Sequence, residues 1–213
     1  MKSRFLACTL FLLVSSAAMV SVNPSSAQTR KTSGMDLSLQ GGPEFPVGDS
    51  GVAQTGSYGF TLTASLPMSA SLDVTAGIGY LKFGVHDVAV DSAGKTGTLS
   101  KQTTNYPFFA GLRFVIETPV VLPYFGAELS LNDLIYHTTG GIASSSTTGV
   151  GNLSDVTSLK FGYAFVFGTR VPLGGDVFSA DATVKYHVIP NDAGSPSNTY
   201  ISLNAGIAIH LSI

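Results

Sequence analysis

From Tyr200 to Ile213 the chain alternates apolar residues with small or polar ones without a break. Ile201, Leu203, Ile207, Ile209 and Leu211 share one parity, and Ser202, Asn204, Gly206, His210 and Ser212 share the other. Successive side chains of a strand point to opposite faces, so this segment has one greasy face and one polar face. It is also long enough to cross a bilayer as a tilted strand, which takes roughly 9–11 residues. A soluble sheet could produce one such strand, so the rest of the chain must decide.

The pattern recurs seven more times. Leu37 and Leu39 alternate with Asp36 and Ser38. Phe60, Leu62 and Leu66 alternate with Thr61, Thr63 and Ser65, and Val74 and Ile78 with Asp73 and Thr75. Phe108, Leu112 and Phe114 oppose Gly111 and Arg113, while Phe125, Leu129 and Leu131 oppose Glu128, Ser130 and Asn132. Phe161, Phe165 and Phe167 oppose Lys160, Gly162 and Gly168, and Phe178, Val184 and Tyr186 oppose Asp181, Thr183 and Lys185. No segment keeps a helical period. The links sort by length. Pro67 to Ala70, Glu117 to Val121 and Val171 to Asp176 read as tight turns. Gly42 to Ser57, Gly84 to Thr104, Asp133 to Ser158 and Ile189 to Asn198 read as longer polar loops. Strict alternation of long and short predicts an all-β, eight-stranded antiparallel up-and-down transmembrane barrel with short periplasmic turns and long extracellular loops.

Tyrosine placement offers a second line of argument. Tyr58, Tyr80, Tyr106, Tyr136, Tyr163, Tyr186 and Tyr200 fall toward the expected extracellular ends, and Tyr124 toward the other. Such amphipathic rings favour the membrane interface. Tyr136 has the wrong parity for an interface position on its strand, which predicts a bulge near Asn132 to Leu134.

At the N-terminus, Lys2 and Arg4 precede an apolar stretch from Phe5 to Val22, and Ser25-Ser26-Ala27 supplies small residues before Gln28. This reads as a cleaved signal peptide over 1–27, followed by a short lead over 28–33 and the barrel over 34–213. Cleavage removes Cys8, the one cysteine. Without Lys2 and Arg4, the eleven basic residues fall to nine against thirteen acidic ones, a net charge of -4. That balance argues against nucleic acid as a partner. Charged residues make up 11% of the chain, against roughly 25% in ordinary soluble domains. An exported chain this poor in charge, with no apolar run of about 20 residues after the signal, can hide its greasy surface by turning it toward lipid.

With these residues in view, the mature chain resembles the small eight-stranded outer-membrane barrels of Gram-negative bacteria, of the OmpX and OmpA-barrel type. Pro123-Tyr124-Phe125-Gly126-Ala127-Glu128 resembles a strand start of the outer membrane β-barrel domain group. Asn204, Gly206, Ile209 and Leu211 match the family's assembly signal, although Ile213 stands where the family usually ends in Phe. The resemblance implies outer-membrane lipid, lipopolysaccharide and the barrel-assembly machinery as partners. It implies neither cofactor nor metal.

An eight-stranded barrel has an interior just wide enough to be filled by side chains. The inward parity holds Asp36, Asp73, Arg113, Glu128, Lys160, Asp181, Lys185 and His210. Buried charges must pair, which predicts contacts between Arg113 and Glu128 and between Asp36 and His210. The expected function is a non-catalytic envelope or surface-interaction protein with a plugged polar interior, contacting any surface ligand through loops 84–104 and 133–158. Three alternatives remain open: a narrow channel, a lipid-modifying enzyme and a soluble lipocalin-like carrier. For catalysis the candidates are His187 with Asp192 and Ser195, and His210-Leu211-Ser212. His86-Asp87 and His137 lack partners at metal spacing. The Ser/Thr/Gly-rich stretch from Thr138 to Ser158 reads as a mobile surface loop, within which Gly149-Val150-Gly151 precedes no helix.

Overall fold

The computed structural model describes residues 33–47, 57–92, 95–118, 120–142, 152–173, 177–191 and 197–212. The predicted signal peptide, Asp192, Ser195 and Gly149-Val150-Gly151 lie outside them. Among the described residues there are nine strands: β1 (Met35–Pro46), β2 (Ser57–Pro67), β3 (Leu72–Lys82), β4 (His86–Ser92), β5 (Lys95–Val115), β6 (Leu122–Ile142), β7 (Asn152–Pro172), β8 (Phe178–Ile189) and β9 (Asn198–Leu211).

All the pairings are antiparallel. The sheet runs β3-β2-β1-β9-β8-β7-β6-β5-β4, and β3 also pairs with β5. That extra pairing closes the sheet, so eight strands form the barrel and β4 stands outside the ring. First and last strands meet at a seam where Asp36 opposes His210 and Leu39 opposes Ile207. The turn after β2 is tight: the Met68 amide donates to the Leu72 carbonyl at 2.8 Å.

The predicted parity holds around the ring. Leu39, Phe60, Ile78, Phe108, Leu129, Phe161 and Ile207 face outward and are exposed, whereas Ser38, Thr63, Thr75, Arg113, Asn132 and Thr183 face inward and are buried. Leu129 and Phe161 are 72% and 77% exposed, a state water would penalise and lipid accommodates.

The loops and one bulge differ from the sequence reading. The link Gly84 to Thr104 holds the β4–β5 hairpin, paired from His86↔Lys101 to Ser92↔Lys95. Asp133 to Ser158 is strand at both ends, because β6 runs on to Ile142 and β7 begins at Asn152. Thr138 to Ser158 is therefore not one mobile loop: Thr138 and Thr139 pair with Leu153 and Asn152. Backbone pairing in these segments is satisfied locally, so their polar side chains sit on strands that simply outrun the membrane. β1 likewise continues to Pro46, past Gly42.

No bulge occurs near Asn132 to Leu134. The β5–β6 register is unbroken from Gly97↔Ile142 to Val115↔Tyr124, and the irregularity against β7 falls between Tyr136 and Thr138. Parity was preserved because Leu134 and Tyr136 are inward residues. They belong to an apolar cluster with Leu81, Phe83, Ile189 and Tyr200 at the extracellular end of the interior. Tyr200 and Tyr136 are thus core groups rather than interface rings, and the Tyr124 ring is also inside.

Candidate functional site

The interior is layered along the barrel axis. At the periplasmic end, His210 on β9 lies with its Nδ1 2.7 Å from Asp36 Oδ1 on β1. Arg170, near the end of β7, donates to the other oxygen of Asp36 and, through Nη2, to Asp181 Oδ2 at 3.4 Å. The Tyr124 hydroxyl of β6 donates to Asp181 Oδ1 at 2.6 Å and lies 2.8 Å from Thr183 Oγ1. Ser38 Oγ adds a bond to Asp181 Oδ2 at 3.1 Å, and Gln40 Nε2 donates to Thr183 Oγ1 at 2.7 Å. One polar cluster therefore ties β1, β6, β7, β8 and β9 together.

Above it, Glu128 of β6 holds two cations. Arg113 Nη2 of β5 sits 3.3 Å from one carboxylate oxygen and Lys185 Nζ of β8 sits 2.8 Å from the other. The flanking aromatic rings contribute as well: Arg113 lies 4.9 Å from the Tyr124 ring centre and Lys185 lies 4.3 Å from that of Phe109. Cations over aromatic faces gain electrostatically once water is excluded. Asp73 opposes Arg113 across the β3–β5 ladder.

Nearer the extracellular end, Glu44 accepts a hydrogen bond from Ser202, and Asn105 Nδ2 donates to Asn132 Oδ1 at 3.0 Å. The His187 ring stacks on Tyr200 at 4.3 Å with an 11° tilt. The apolar cluster around Leu81, Phe83 and Leu134 then caps the column.

The structure places Asp36 with His210 and Arg113 with Glu128, as the sequence reading expects, and adds Lys185 to the second group and Asp181 to the first. Lys160 departs from that reading. It is only half-buried, and its Nζ reaches Asn191 Oδ1 at 2.9 Å at the rim, away from the central charges. Extra length on β7 carries it above the Glu128 layer. Arg170, Tyr124 and Glu44 escaped the sequence reading although each continues the inward parity of its strand. Glu44 fell in a segment assigned to a link, Arg170 lay between the last residue read into its strand and the turn from Val171, and Tyr124 was taken for an interface ring. Of the assembly-signal residues, Asn204 and Gly206 have the inward parity, and Ile209 and Leu211 the outward.

The other sequence candidates are dispersed. His187 faces inward against Tyr200. Ser212 is exposed beyond β9 while His210 is engaged by Asp36. His137 pairs with Asp155 at 2.8 Å on the outer sheet, and Asp87 accepts from Ser100 Oγ at 2.6 Å. Among the described residues no three metal-binding side chains converge.

A closed ring of eight strands with its greasy face outward agrees with the family comparison, in which the model of the outer membrane protein beta-barrel domain matches residues 8–208. The chain belongs to that family. Among solved structures, the outer-membrane barrel of Neisserial surface protein A aligns with a TM-score of 0.57 at 16% identity, over 84% of this chain and 98% of that one. The attachment invasion locus protein of Yersinia pestis aligns at 0.47 and 14% identity, over 84% and 98%. OprG from Pseudomonas aeruginosa aligns at 0.46 and 16% identity, over 87% and 99%. Such identities speak to the fold alone. No curated protein sequence matches the chain. Family membership identifies it as an outer-membrane β-barrel protein and sets aside the soluble-carrier alternative.

Proposed function

We propose that this outer-membrane barrel is exported by its N-terminal signal segment, is non-catalytic, and acts at the cell surface through the sheet that rises above the membrane. The observation carrying this reading is the extension of β4, β5, β6 and β7 beyond the ring. Their pairings continue from Gly97↔Ile142 and Thr139↔Asn152 well past the last β3–β5 pair at Lys82↔Thr104. A paired sheet holds a surface far more rigidly than open loops do. β4 also ends the sheet order, which leaves its outer backbone edge available to an extended partner segment among the described residues.

The lumen is plugged in this reading. Side chains from every layer contact one another across the barrel, and Leu81, Phe83, Leu134 and Tyr200 seal the extracellular end. A hydrophobic constriction of this kind resists wetting and hence ion passage. The non-catalytic assignment draws support from His187, whose ring is stacked inside the barrel rather than turned toward outer-leaflet lipid.

Protease shaving of intact cells, followed by deletion of 86–104 and 137–156, tests the surface role. Cleavage confined to these segments, with loss of surface binding in the deletion strain and an intact heat-modifiable barrel, is the expected result. A protease-inert surface or full binding after deletion would sink it. Reproducible unit conductance of the purified protein in planar bilayers would remove the plugged lumen.

A further inference from the structure

The buried side chains of the lumen do not balance in charge. Among the described residues, Asp36, Glu44, Asp73, Glu128 and Asp181 are five buried carboxylates, against the three cations Arg113, Arg170 and Lys185. A protonated His210 beside Asp36 raises the cations to four and still leaves one negative charge over. Arg170 is held by Asp36 and Asp181, and Arg113 and Lys185 by Glu128, while Asp73 faces Arg113 across its ladder. Glu44 is the carboxylate that pairs with no cation; its partner is the Ser202 hydroxyl. An ionised carboxylate taken out of water without a counter-charge is costly.

Strand register gathers further oxygen atoms around it. Ser202 opposes Glu44 across the β1–β9 seam, and Asn204 follows Ser202 on the same face. On β2, Thr61 shares the inward parity of Gly59. A Cβ on Gly59 would stand 2.6 Å from Glu44 Oε1, so the glycine leaves that oxygen its room. Glu44, Thr61, Ser202 and Asn204 line one interior cavity of about 10 Å³, the space of a single small guest. Thr61 and Asn204 are 8% and 5% exposed, and neither Thr61 Oγ1 nor Asn204 Oδ1 has a hydrogen-bond partner. Lys185 and His187 also border the cavity, but the Lys185 ammonium is engaged by Glu128 at 2.8 Å and the His187 ring is stacked on Tyr200.

We propose that Glu44, Thr61, Ser202 and Asn204 bind one dehydrated alkali-metal cation inside the barrel. Carboxylate, hydroxyl and amide oxygens are hard ligands, suited to a hard cation rather than to a metal that seeks imidazole or thiolate. A single carboxylate and a single missing charge make the guest monovalent. A water molecule has two hydrogens to donate and no charge, so it satisfies two of the four side chains and leaves the carboxylate unneutralised. A cation meets all four and ties β1, β2 and β9 together beside the closing seam.

Urea unfolding of the full barrel in zwitterionic lipid vesicles tests the site, with EDTA present to remove divalent cations. Sodium chloride and potassium chloride are compared with N-methylglucamine chloride at equal ionic strength, because the organic cation is too large for the cavity. Wild type is expected to be more stable in an alkali salt. Its unfolding equilibrium constant should fall about tenfold for each tenfold rise in cation above the dissociation constant. Glu44→Gln should abolish this preference and Thr61→Val should weaken it. Asp155→Asn, which alters an exposed carboxylate of the outer sheet, should keep it. Heat-modifiable gel migration establishes that each variant is folded. Equal stability of wild type in all three salts, or a preference that survives Glu44→Gln, overturns the proposal. If Glu44→Gln does not fold, an undiminished preference in Thr61→Val overturns it instead. The readout is the stability of the barrel and not what the extracellular sheet recognises, so this inference and the surface role fail separately.

Discussion

The Tyr124 hydroxyl meets Asp181 at 2.6 Å, joining β6 to β8 across the intervening strand. The buried carboxylate of Asp181 also receives Ser38 and Arg170, so its charge is met by hydroxyl, phenol and guanidinium donors from three other strands. A closed barrel gains from such ties because backbone ladders connect only nearest neighbours. Side chains that cross the lumen connect strands that share no ladder.

Tyr124→Phe keeps the ring under Arg113 and removes only the hydroxyl. It is expected to cost about 1–3 kcal/mol, because Asp181 loses a buried donor and the Thr183 hydroxyl loses its partner without gaining water. Urea titration of unfolding in lipid vesicles, followed by gel mobility, measures it. Stability equal to wild type would show that Asp181 is satisfied without Tyr124.

Arg170 bridges Asp36 and Asp181, and Arg170→Met is expected to destabilise by about 3–5 kcal/mol by stranding buried carboxylates. Pairing it with Asp36→Asn should recover part of that loss, giving a coupling energy above about 0.5 kcal/mol. Additive losses in the double-mutant cycle would mean that the two side chains do not act as a pair.

The eight barrel strands and their two faces were legible in the sequence because parity is local: Leu37 and Asp36 declare their sides wherever the strand lies, whereas β4, outside the ring, was read as loop. The Arg113–Glu128 and Asp36–His210 contacts followed, since adjacent strands of known direction bring set depths together. Arg170 and Glu44 were hidden because strand ends carry no sharp signal when polar side chains line both lumen and turn. Tyr136 and Tyr200 misled for a related reason. A tyrosine satisfies an interface and an apolar plug equally well, and only its parity separates them. The extension of β6 and β7 was illegible because Ser, Thr and Gly on a sheet outside lipid need no alternation.

The outward face should tolerate charge poorly at mid-depth. Leu129→Arg, on the greasy side of β6, is expected to cost about 2–4 kcal/mol, while Ser130→Ala beside it on the inner face should stay within about 1 kcal/mol. Both are read by unfolding in vesicles of defined thickness. A small loss for Leu129→Arg would place that residue outside the hydrocarbon layer.

At the seam, Gly42 and Gly206 permit β1 and β9 to close. A Cβ on Gly206 would run into the Leu39 carbonyl oxygen, and one on Gly42 into that of Leu203. These are backbone atoms of the facing strand, so neither collision is relieved by turning a side chain. Gly206→Ala is therefore expected to lower stability by about 1–3 kcal/mol, the usual scale of overpacking. Because β1 and β9 pair across nearly the whole described chain, the penalty should also appear as slower closure, seen as delayed formation of the heat-modifiable band during refolding. Ala205→Gly, one residue away with its side chain outward, serves as the control and should refold at close to the wild-type rate. Equal refolding of Gly206→Ala and wild type would show that the seam can widen to admit a methyl group, and that the glycine there is not required for closure.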